Sequence, residues 1–290
     1  MPPSSDQPVV LTVGSLHYDI MVEADHLPRR DETAVGSRWY PKFGGKGGNQ
    51  AVAVARAGVA SRMLGAVGED DFGTFLRAGL RRGGVEDGFV VSLPGLGSGM
   101  SVAIQDGAGD YAATIVSGAN LGIDPARLDE AALWQGVGLL VLQNEVPEAV
   151  NLAAAGAARG RGVTVLLNAA PFRPLGAGMA GAVDILVVNA VEAEMLGAGV
   201  VDGLDAAARA AAGLAGRFRS VVVTAGGHGL ALCEGGAPVQ VPAEKVRVVS
   251  THGAGDAFIG TLAAGLVRGQ GLEAACRAAA RAAARHVAGL

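Results

Sequence analysis

The hydrophobic pattern of the chain alternates short apolar runs with longer, alanine-rich stretches. Apolar runs of this length, uninterrupted by charge, are typical of strands buried on both faces of a sheet. Six are predicted strands: Val9–Val13, Met63–Val67, Leu139–Leu142, Val163–Leu167, Ile185–Val188 and Val221–Thr224. The stretches between them predict helices near Gln50–Ala57, Phe72–Arg82, Pro147–Arg159 and Ala206–Arg217. The alternation predicts an α/β fold, a three-layer α/β/α body with a mainly parallel central sheet.

Two segments, residues 17–43 and 97–116, depart from this alternation. Both contain short strand-like pieces with no helix between them: Met21–Val22, Met100–Ile104 and Ala112–Val116. We expect them to form a small β-rich lid on a single domain spanning residues 1–290. In the later half of the chain, Leu230–Leu232 and Val239–Val241 predict a hairpin.

Composition and charge exclude several classes of protein. Of the 290 residues, 50% are apolar and 17% are charged, and the net charge is −4. The sequence has no basic cluster of the kind that binds nucleic acid. We expect no membrane association, because no uninterrupted apolar stretch approaches the roughly 18 residues that span a bilayer. Cys233 and Cys276 are far apart and predict reduced thiols. We therefore expect a soluble, cytoplasmic protein.

The stretch THGAGDAFIG places one carboxylate directly behind three small residues. Phe258, Leu262 and Leu266 follow Asp256 at a four-residue step, so the carboxylate lies near the N-terminus of a helix. Asp256 therefore either caps this helix or serves a ligand. A backbone of small residues, Gly253–Gly255, allows its N–H groups to converge on an anion.

A second glycine-rich stretch, FGGKGGNQAVAVARAG, covers residues 43–58. Its Lys46 precedes a helix whose first turn includes Asn49. The stretch is either a tight turn capped by Asn49 or a loop that approaches a phosphate or polyhydroxyl ligand. It is not a P-loop, because Gly47 stands where Ser or Thr is required. Neither a dinucleotide fingerprint nor a GxSxG nucleophile turn occurs, and the five histidines lack the spacing of metal ligands.

These two stretches resemble the N-terminal and C-terminal signatures of the PfkB carbohydrate kinase family, in its ribokinase-like branch. Four further blocks resemble the family in the same order along the chain: GSLHYD (14–19), LLVLQNEVP (139–147), LNAAP (167–171) and VVNAVEAE (187–194). Each block alone is a weak signal, but together they cover nearly the whole chain. The resemblance implies a ribokinase-like fold with a lid, and ATP-dependent phosphorylation of a sugar hydroxymethyl group with Mg²⁺.

The resemblance also implies roles for individual residues. Asp256 would be the base, and the amides of Gly253, Ala254 and Gly255 would form the anion hole. The positions that would bind the sugar are His17, Asp19, Gly45, Lys46, Asn49 and Glu145. Those on the nucleotide side are Asn189, Thr224, Gly226 and Gly229, and Glu192 would place the metal indirectly. Each of these assignments has a structural alternative. Asp19 could simply be a polar residue at a strand end, and Asn189 and Glu192 could simply mark the start of a helix.

The chain departs from the family pattern at three points. His17 stands where ribokinases usually have Asn next to the sugar. This difference weakens the case for ribose itself as the substrate. Ser250 replaces a carboxylate that helps to bind an activating potassium ion, so we expect weak or no activation by monovalent cations. The family usually continues beyond the position of Leu290, so we expect either a short protein or an incomplete sequence.

The expected substrates are ATP and a small sugar, ribose or a similar pentose. Two alternatives remain open: a nucleoside or pseudonucleoside kinase of the same fold, and a non-catalytic relative that binds sugar or nucleotide. The retained Asp256 speaks against the second, since a binder needs no base. We also expect a homodimer formed through the lid, because a small sheet alone exposes its strand edges.

Overall fold

The computed structural model describes residues 7–107 and 111–290, so residues 1–6 of the predicted domain and 108–110 of the predicted lid segment lie outside the described residues. The strands are β1 Val9–Val13, β2 His17–Ala24, β3 Gly36–Gly44, β4 Ala60–Gly68, β5 Val85–Leu93, β6 Met100–Gln105, β7 Tyr111–Val116, β8 Val137–Gln143, β9 Thr164–Asn168, β10 Ile185–Asn189, β11 Ser220–Thr224, β12 Gly229–Cys233 and β13 Val239–Pro242. The α-helices are α1 Lys46–Arg56, α2 Asp71–Arg82, α3 Glu148–Arg159, α4 Ala177–Ala182, α5 Ala190–Met195, α6 Leu204–Leu214, α7 Ala254–Val267 and α8 Leu272–Val287.

Nine strands form the large sheet, in the order β13-β12-β11-β10-β9-β8-β1-β4-β5. The pairs from β11 to β5 are parallel, whereas β12 and β13 join as antiparallel strands in the predicted hairpin. Parallel strands need cover on both faces, which explains their continuous apolar runs.

Helices cover both faces of this sheet. On β8, Leu140 and Leu142 belong to the core that packs against α3 and α6, whereas Leu139 and Val141 belong to the core beneath α7 and α8. This alternation follows from the two-residue period of a strand. The predicted three-layer α/β/α body is confirmed.

A second, four-stranded sheet has the order β3-β2-β6-β7. Its β2–β6 pair is parallel and its other pairs are antiparallel. Tyr18 of β2 stacks on Phe72 of α2, with 4.0 Å between ring centroids, and meets Phe75 edge-on. These aromatic contacts anchor the small sheet to the body.

Several elements differ from the predicted ones. Strand β5 lies at the sheet edge, where Glu86 and Asp87 interrupt its apolar pattern, and β3 contains Pro41. Helices α4 and α5 have six residues each, too short to show a helical period. Within the described part of the chain, the structure contains no helix with the length and apolar character of a membrane span.

Candidate active site

The candidate site lies where the winding of the large sheet reverses. The chain runs from β1 to β4 and β5 in one direction, and from β8 to β9, β10 and β11 in the other. The crevice outside the carboxyl ends of such neighbouring strands is where open α/β sheets bind ligands. Ser15 follows β1 and Glu145 follows β8, so both predicted blocks meet at this crevice.

The carboxylate of Glu145 joins three segments of the site. Its Oε2 accepts hydrogen bonds from Ser15 Oγ at 2.5 Å and from the backbone N–H of Lys46 at 2.8 Å. Nδ1 of the buried His17 lies 3.9 Å from the same oxygen. Glu145 therefore ties the end of β8 to β1 and to the start of α1.

Asp19 lies on β2, opposite Ser101 of the parallel strand β6 and Lys42 of β3. Ser101 Oγ donates to Asp19 Oδ1 at 2.5 Å. Burial raises the pKa of the Asp19 carboxyl, against the effects of this hydrogen bond and of His17. Burial also lowers the pKa of Lys42, and the charge of Asp19 opposes this shift. A Cβ at Gly44 would come within 1.9 Å of Asp19 Oδ2, so the carboxylate occupies space that only glycine leaves open.

The glycine-rich loop folds back against the residues that follow β1. Gly45 has a φ of 84°, and a Cβ there would lie 2.8 Å from the backbone nitrogen of His17. A Cβ at Gly47 would lie 2.5 Å from the nitrogen of Ser15. Helix α1 begins at Lys46, four residues before its predicted start, with Gly45 as its N-cap. The interpretation of Asn49 as a cap is therefore wrong, since Asn49 belongs to the first helical turn.

Asp256 lies in the first turn of α7, which begins at Ala254 behind the N-cap Gly253. The carboxylate does not cap the helix. It accepts hydrogen bonds from Asn49 Nδ2 at 3.3 Å and from Gln50 Nε2 at 3.0 Å. Burial raises the pKa of Asp256, and the charge of Lys46 and the two amide donors oppose that effect. The capping interpretation is thus wrong, because side chains of α1 hold the carboxylate.

Asp256 lies at the junction of two cavities. A cavity of about 250 Å³ on its sheet side is lined by Lys46, Asn168, Ala170, Val187, Val188, Asn189, Glu192, Thr224, Thr251, Gly253, Gly255, Asp256, Phe258 and Ile259. A second cavity of about 700 Å³ shares Gly253 and Asp256, includes Lys42 and Asn49, and extends between α1, α7 and α8. Asp256 therefore lines both cavities.

The predicted anion hole comprises Gly253, Ala254 and Gly255. Gly253 has a φ of 80°. The N–H of Ala254 donates to the carbonyl of Thr251 over a long 3.3 Å. The first N–H groups of a helix have no partner within it and carry the positive end of its dipole, which favours an anion beside Gly253 and Gly255.

Asn189 and Glu192 form a capping box at the start of α5. Asn189 Oδ1 accepts from the N–H of Glu192 at 2.8 Å, and Glu192 Oε2 accepts from the N–H of Asn189 at 2.9 Å. The two residues therefore do mark the start of a helix, as one of the two interpretations predicted. Both also line the smaller cavity. Burial raises the pKa of Glu192, and the charge of Lys46 opposes it.

The predicted nucleotide-side residues separate into two groups. Thr224, at the end of β11, lines the smaller cavity. Gly226 lies in the turn after β11 and Gly229 begins β12, and neither glycine lines that cavity. Gly229 has a φ of 114°, and a Cβ there would lie 2.2 Å from the carbonyl oxygen of Val241, so the hairpin requires this glycine.

Four residues of the site escaped the sequence analysis: Ser15, Gln50, Ser101 and His286. Gln50 stands inside the quoted glycine-rich stretch, next to Asn49, and its position there was the available signal. Ser15 likewise stands inside the quoted block GSLHYD. Ser101 and His286 depend on strand register and on packing between distant segments, which leave no spacing in the sequence.

Comparisons with known proteins identify the family of the chain. The model of the pfkB family carbohydrate kinases matches residues 8–288. The ribokinase of Bacillus subtilis is 32% identical over 279 residues, covering 96% of this chain and 92% of the relative. The deoxyribokinase of Salmonella typhi is 33% identical over 283 residues, covering 97% and 92%.

Among solved structures, Arabidopsis thaliana ribokinase complexed with ribose and ATP has a TM-score of 0.88 at 30% identity, covering 97% of this chain and 92% of that one. The chain belongs to the pfkB family of carbohydrate kinases.

Proposed function

We propose that this carbohydrate kinase transfers the γ-phosphoryl group of ATP to the hydroxymethyl group of ribose or a similar pentose. The position of the Asp256 carboxylate is the observation that carries this proposal: it lines the smaller cavity together with Lys46 and accepts hydrogen bonds from Asn49 and Gln50. The ribokinase relatives, and the ribose and ATP in the Arabidopsis structure, support the choice of both substrates.

In this reaction Asp256 accepts the proton of the sugar hydroxyl while the hydroxyl oxygen forms its bond to phosphorus and the bond to ADP breaks. Its buried carboxylate has a raised proton affinity, which suits a general base. Asn49, Gln50 and Lys46 favour the ionised form, so the carboxylate remains able to accept that proton.

The phosphoryl group being transferred would lie in the smaller cavity. Amides at the start of α7 and the ammonium of Lys46 would stabilise its charge. Mg²⁺ is commonly held by substrate phosphates with one or two carboxylates. Glu192 lines the smaller cavity and would supply such a carboxylate, and the ion would neutralise phosphate charge there.

The sugar would bind among Asp19, Glu145, Asn49 and His17. Nε2 of His17, a residue only 4% exposed, has no hydrogen-bond partner among the described residues. Buried polar atoms of this kind are normally paired, so a sugar hydroxyl is a fitting partner. The same atom would fit a nucleobase, which favours a nucleoside or pseudonucleoside kinase as the second candidate.

An ATP-consumption assay over pentoses, 2-deoxypentoses, hexoses, ketoses and nucleosides tests the proposal. We expect the highest kcat/KM for ribose or another pentose. A clear preference for a nucleoside would establish the second candidate. If the protein binds sugar and ATP but phosphorylates none of the tested substrates, the kinase proposal is contradicted and a non-catalytic binding protein is favoured.

The small sheet would also be the contact surface of a homodimer. Trp39, Ile115 and Val116 on this sheet are each more than half exposed, and burying them against a second copy would stabilise a sheet that is otherwise marginal. Light scattering at micromolar concentration should show a dimer, and Trp39→Glu should weaken it. Val200→Glu, at an exposed apolar residue outside the sheet, should not. A monomeric wild type would contradict this part of the proposal.

The cytoplasm, with its supply of ATP, is the proposed compartment. Cys233 and Cys276 are free and buried, as suits a reducing environment. Fluorescence of a tagged full chain in cells, or fractionation, tests this assignment.

A further inference from the structure

The C-terminal end of α8 holds the segment that leads into the anion hole. The carbonyl of Val287 accepts hydrogen bonds from the N–H groups of Val249, at 2.8 Å, and Ser250, at 3.2 Å. Nε2 of His286, on the same helical turn, lies 2.9 Å from the carbonyl oxygen of His252. Three contacts therefore join one turn of α8 to residues 249–252.

The His286 contact differs from the other two because it reaches the peptide next to the anion hole. The His252 carbonyl and the Gly253 N–H belong to the same peptide unit, which is planar and trans. The two groups therefore point in opposite directions, and a donor that fixes the carbonyl also fixes the direction of the N–H.

Gly253 needs such support because its conformation is unusual. Its φ of 80° lies in the left-handed region, which glycine adopts without strain. Glycine also has the widest conformational freedom of any residue, so other contacts must hold this conformation. A Cβ at Gly253 would lie 3.2 Å from Nε2 of His286, so the ring packs directly against this turn.

The side chain of Ser250 contributes little to holding the segment. Its Oγ accepts a 3.3 Å hydrogen bond from the N–H of His252, within the same exposed turn. His286 is thus the side chain from outside the segment that fixes the peptide between His252 and Gly253.

We propose that His286 is a positioning residue: its Nε2–H donates to the His252 carbonyl and thereby aims the Gly253 amide at the phosphoryl group being transferred. Both the neutral Nε2–H tautomer and the imidazolium supply this donor. The inference rests on the proposed function, since the anion hole is part of it. His286 itself need not touch the substrate.

The test compares two substitutions of His286. His286→Leu removes the donor, and His286→Gln keeps an N–H at similar reach. Steady-state kinetics with saturating sugar and ATP give kcat, and titrations give the KM of each. Arg281→Leu, at an exposed position on the same helix, is the matched control. Thermal unfolding of each variant measures any structural effect.

We expect His286→Leu to lower kcat by about tenfold to a hundredfold, in the range of a misaimed or lost anion-hole donor. The KM of the sugar should stay within about twofold of wild type, because the sugar contacts lie on other elements. His286→Gln should recover most of kcat, and Arg281→Leu should match wild type.

A kcat equal to wild type in His286→Leu would overturn the inference. An equally low kcat in His286→Gln and His286→Leu would also overturn it. Should His286→Leu not fold, the isosteric pair His286→Gln and His286→Glu decides, because an ionised Glu has no donor for the carbonyl. Equal kcat in that pair would overturn the inference. A wild-type protein inactive on every sugar would instead contradict the proposed function.

Discussion

Gln50 of α1 donates a hydrogen bond from Nε2 to Oδ1 of Asp256 in α7 at 3.0 Å, although the two residues are 206 positions apart in the chain. Gln50 is fully buried, and its Oε1 has no partner among the described residues. A buried amide that donates a hydrogen bond to a carboxylate favours the ionised form of that carboxylate. Gln50 therefore helps to keep Asp256 available as a base.

Replacing Gln50 by Leu should move the acid limb of the pH profile of kcat/KM to higher pH. The hydrogen bond from Gln50 lowers the pKa of Asp256, so its loss raises that pKa further. A base is active when deprotonated, and activity then falls at a higher pH as the solution is acidified. Rates from about pH 5 to pH 9 measure the shift.

The control for this experiment is Gln240→Leu. Gln240 makes a similar hydrogen bond, at 2.8 Å to Asp205, on the exposed surface. Its removal should leave the profile unchanged. An acid limb that stays in place in Gln50→Leu would show that Asp256 does not set it.

Gly44→Ala should raise the KM of the sugar by about tenfold or more, with a smaller effect on kcat. The added Cβ would fall 1.9 Å from Asp19 Oδ2 and displace this carboxylate from Ser101. Loss of one well-placed charged hydrogen bond is worth about 1.5–3 kcal/mol. Gly88→Ala, on the edge strand β5 with open space around it, is the matched control and should bind sugar normally. Unchanged sugar affinity in Gly44→Ala would remove Asp19 from the sugar site.

The sequence predicted the body of the fold because its central strands are continuously apolar and its helices are long. It did not predict β3, which lacks the two-residue apolar period of a strand and contains Pro41 at a sheet edge. In the site, the two glycine-rich stretches pointed to Asp256 and Lys46. The partner of Asp19 was missed because Ser101 reaches it only through the parallel register of β2 and β6, which is set by tertiary pairing.

Potassium should change kcat of the wild-type enzyme by less than about twofold. Ser250 offers a neutral hydroxyl, and cation affinity depends on the charge and number of ligands. The neighbouring carbonyl of His252 already lies within hydrogen-bond distance of His286. A potassium titration in buffer free of sodium and potassium measures the response, with Ser250→Asp as the variant expected to gain one. A large, saturable rise in wild-type kcat would show that other ligands compensate for Ser250.

Asp256→Asn should stabilise the protein at pH 8. Because burial raises the pKa of Asp256, the folded state binds a proton more tightly than the unfolded chain. That contribution to stability is present below the unfolded pKa of about 4 and is lost as the pH rises through the folded value. Removing the ionisable group should raise the Tm at pH 8, and by less near pH 4. An equal gain at both pH values would contradict this origin.

The turnover of Asp256→Asn tests the central claim most directly. With sugar and ATP saturating, kcat should fall by about a hundredfold or more, in keeping with the loss of a general base. Sugar binding measured by calorimetry should remain close to wild type, because Asn retains the shape of the side chain between Asn49 and Gln50. A variant that keeps most of the wild-type kcat would contradict the assignment of Asp256 as the base.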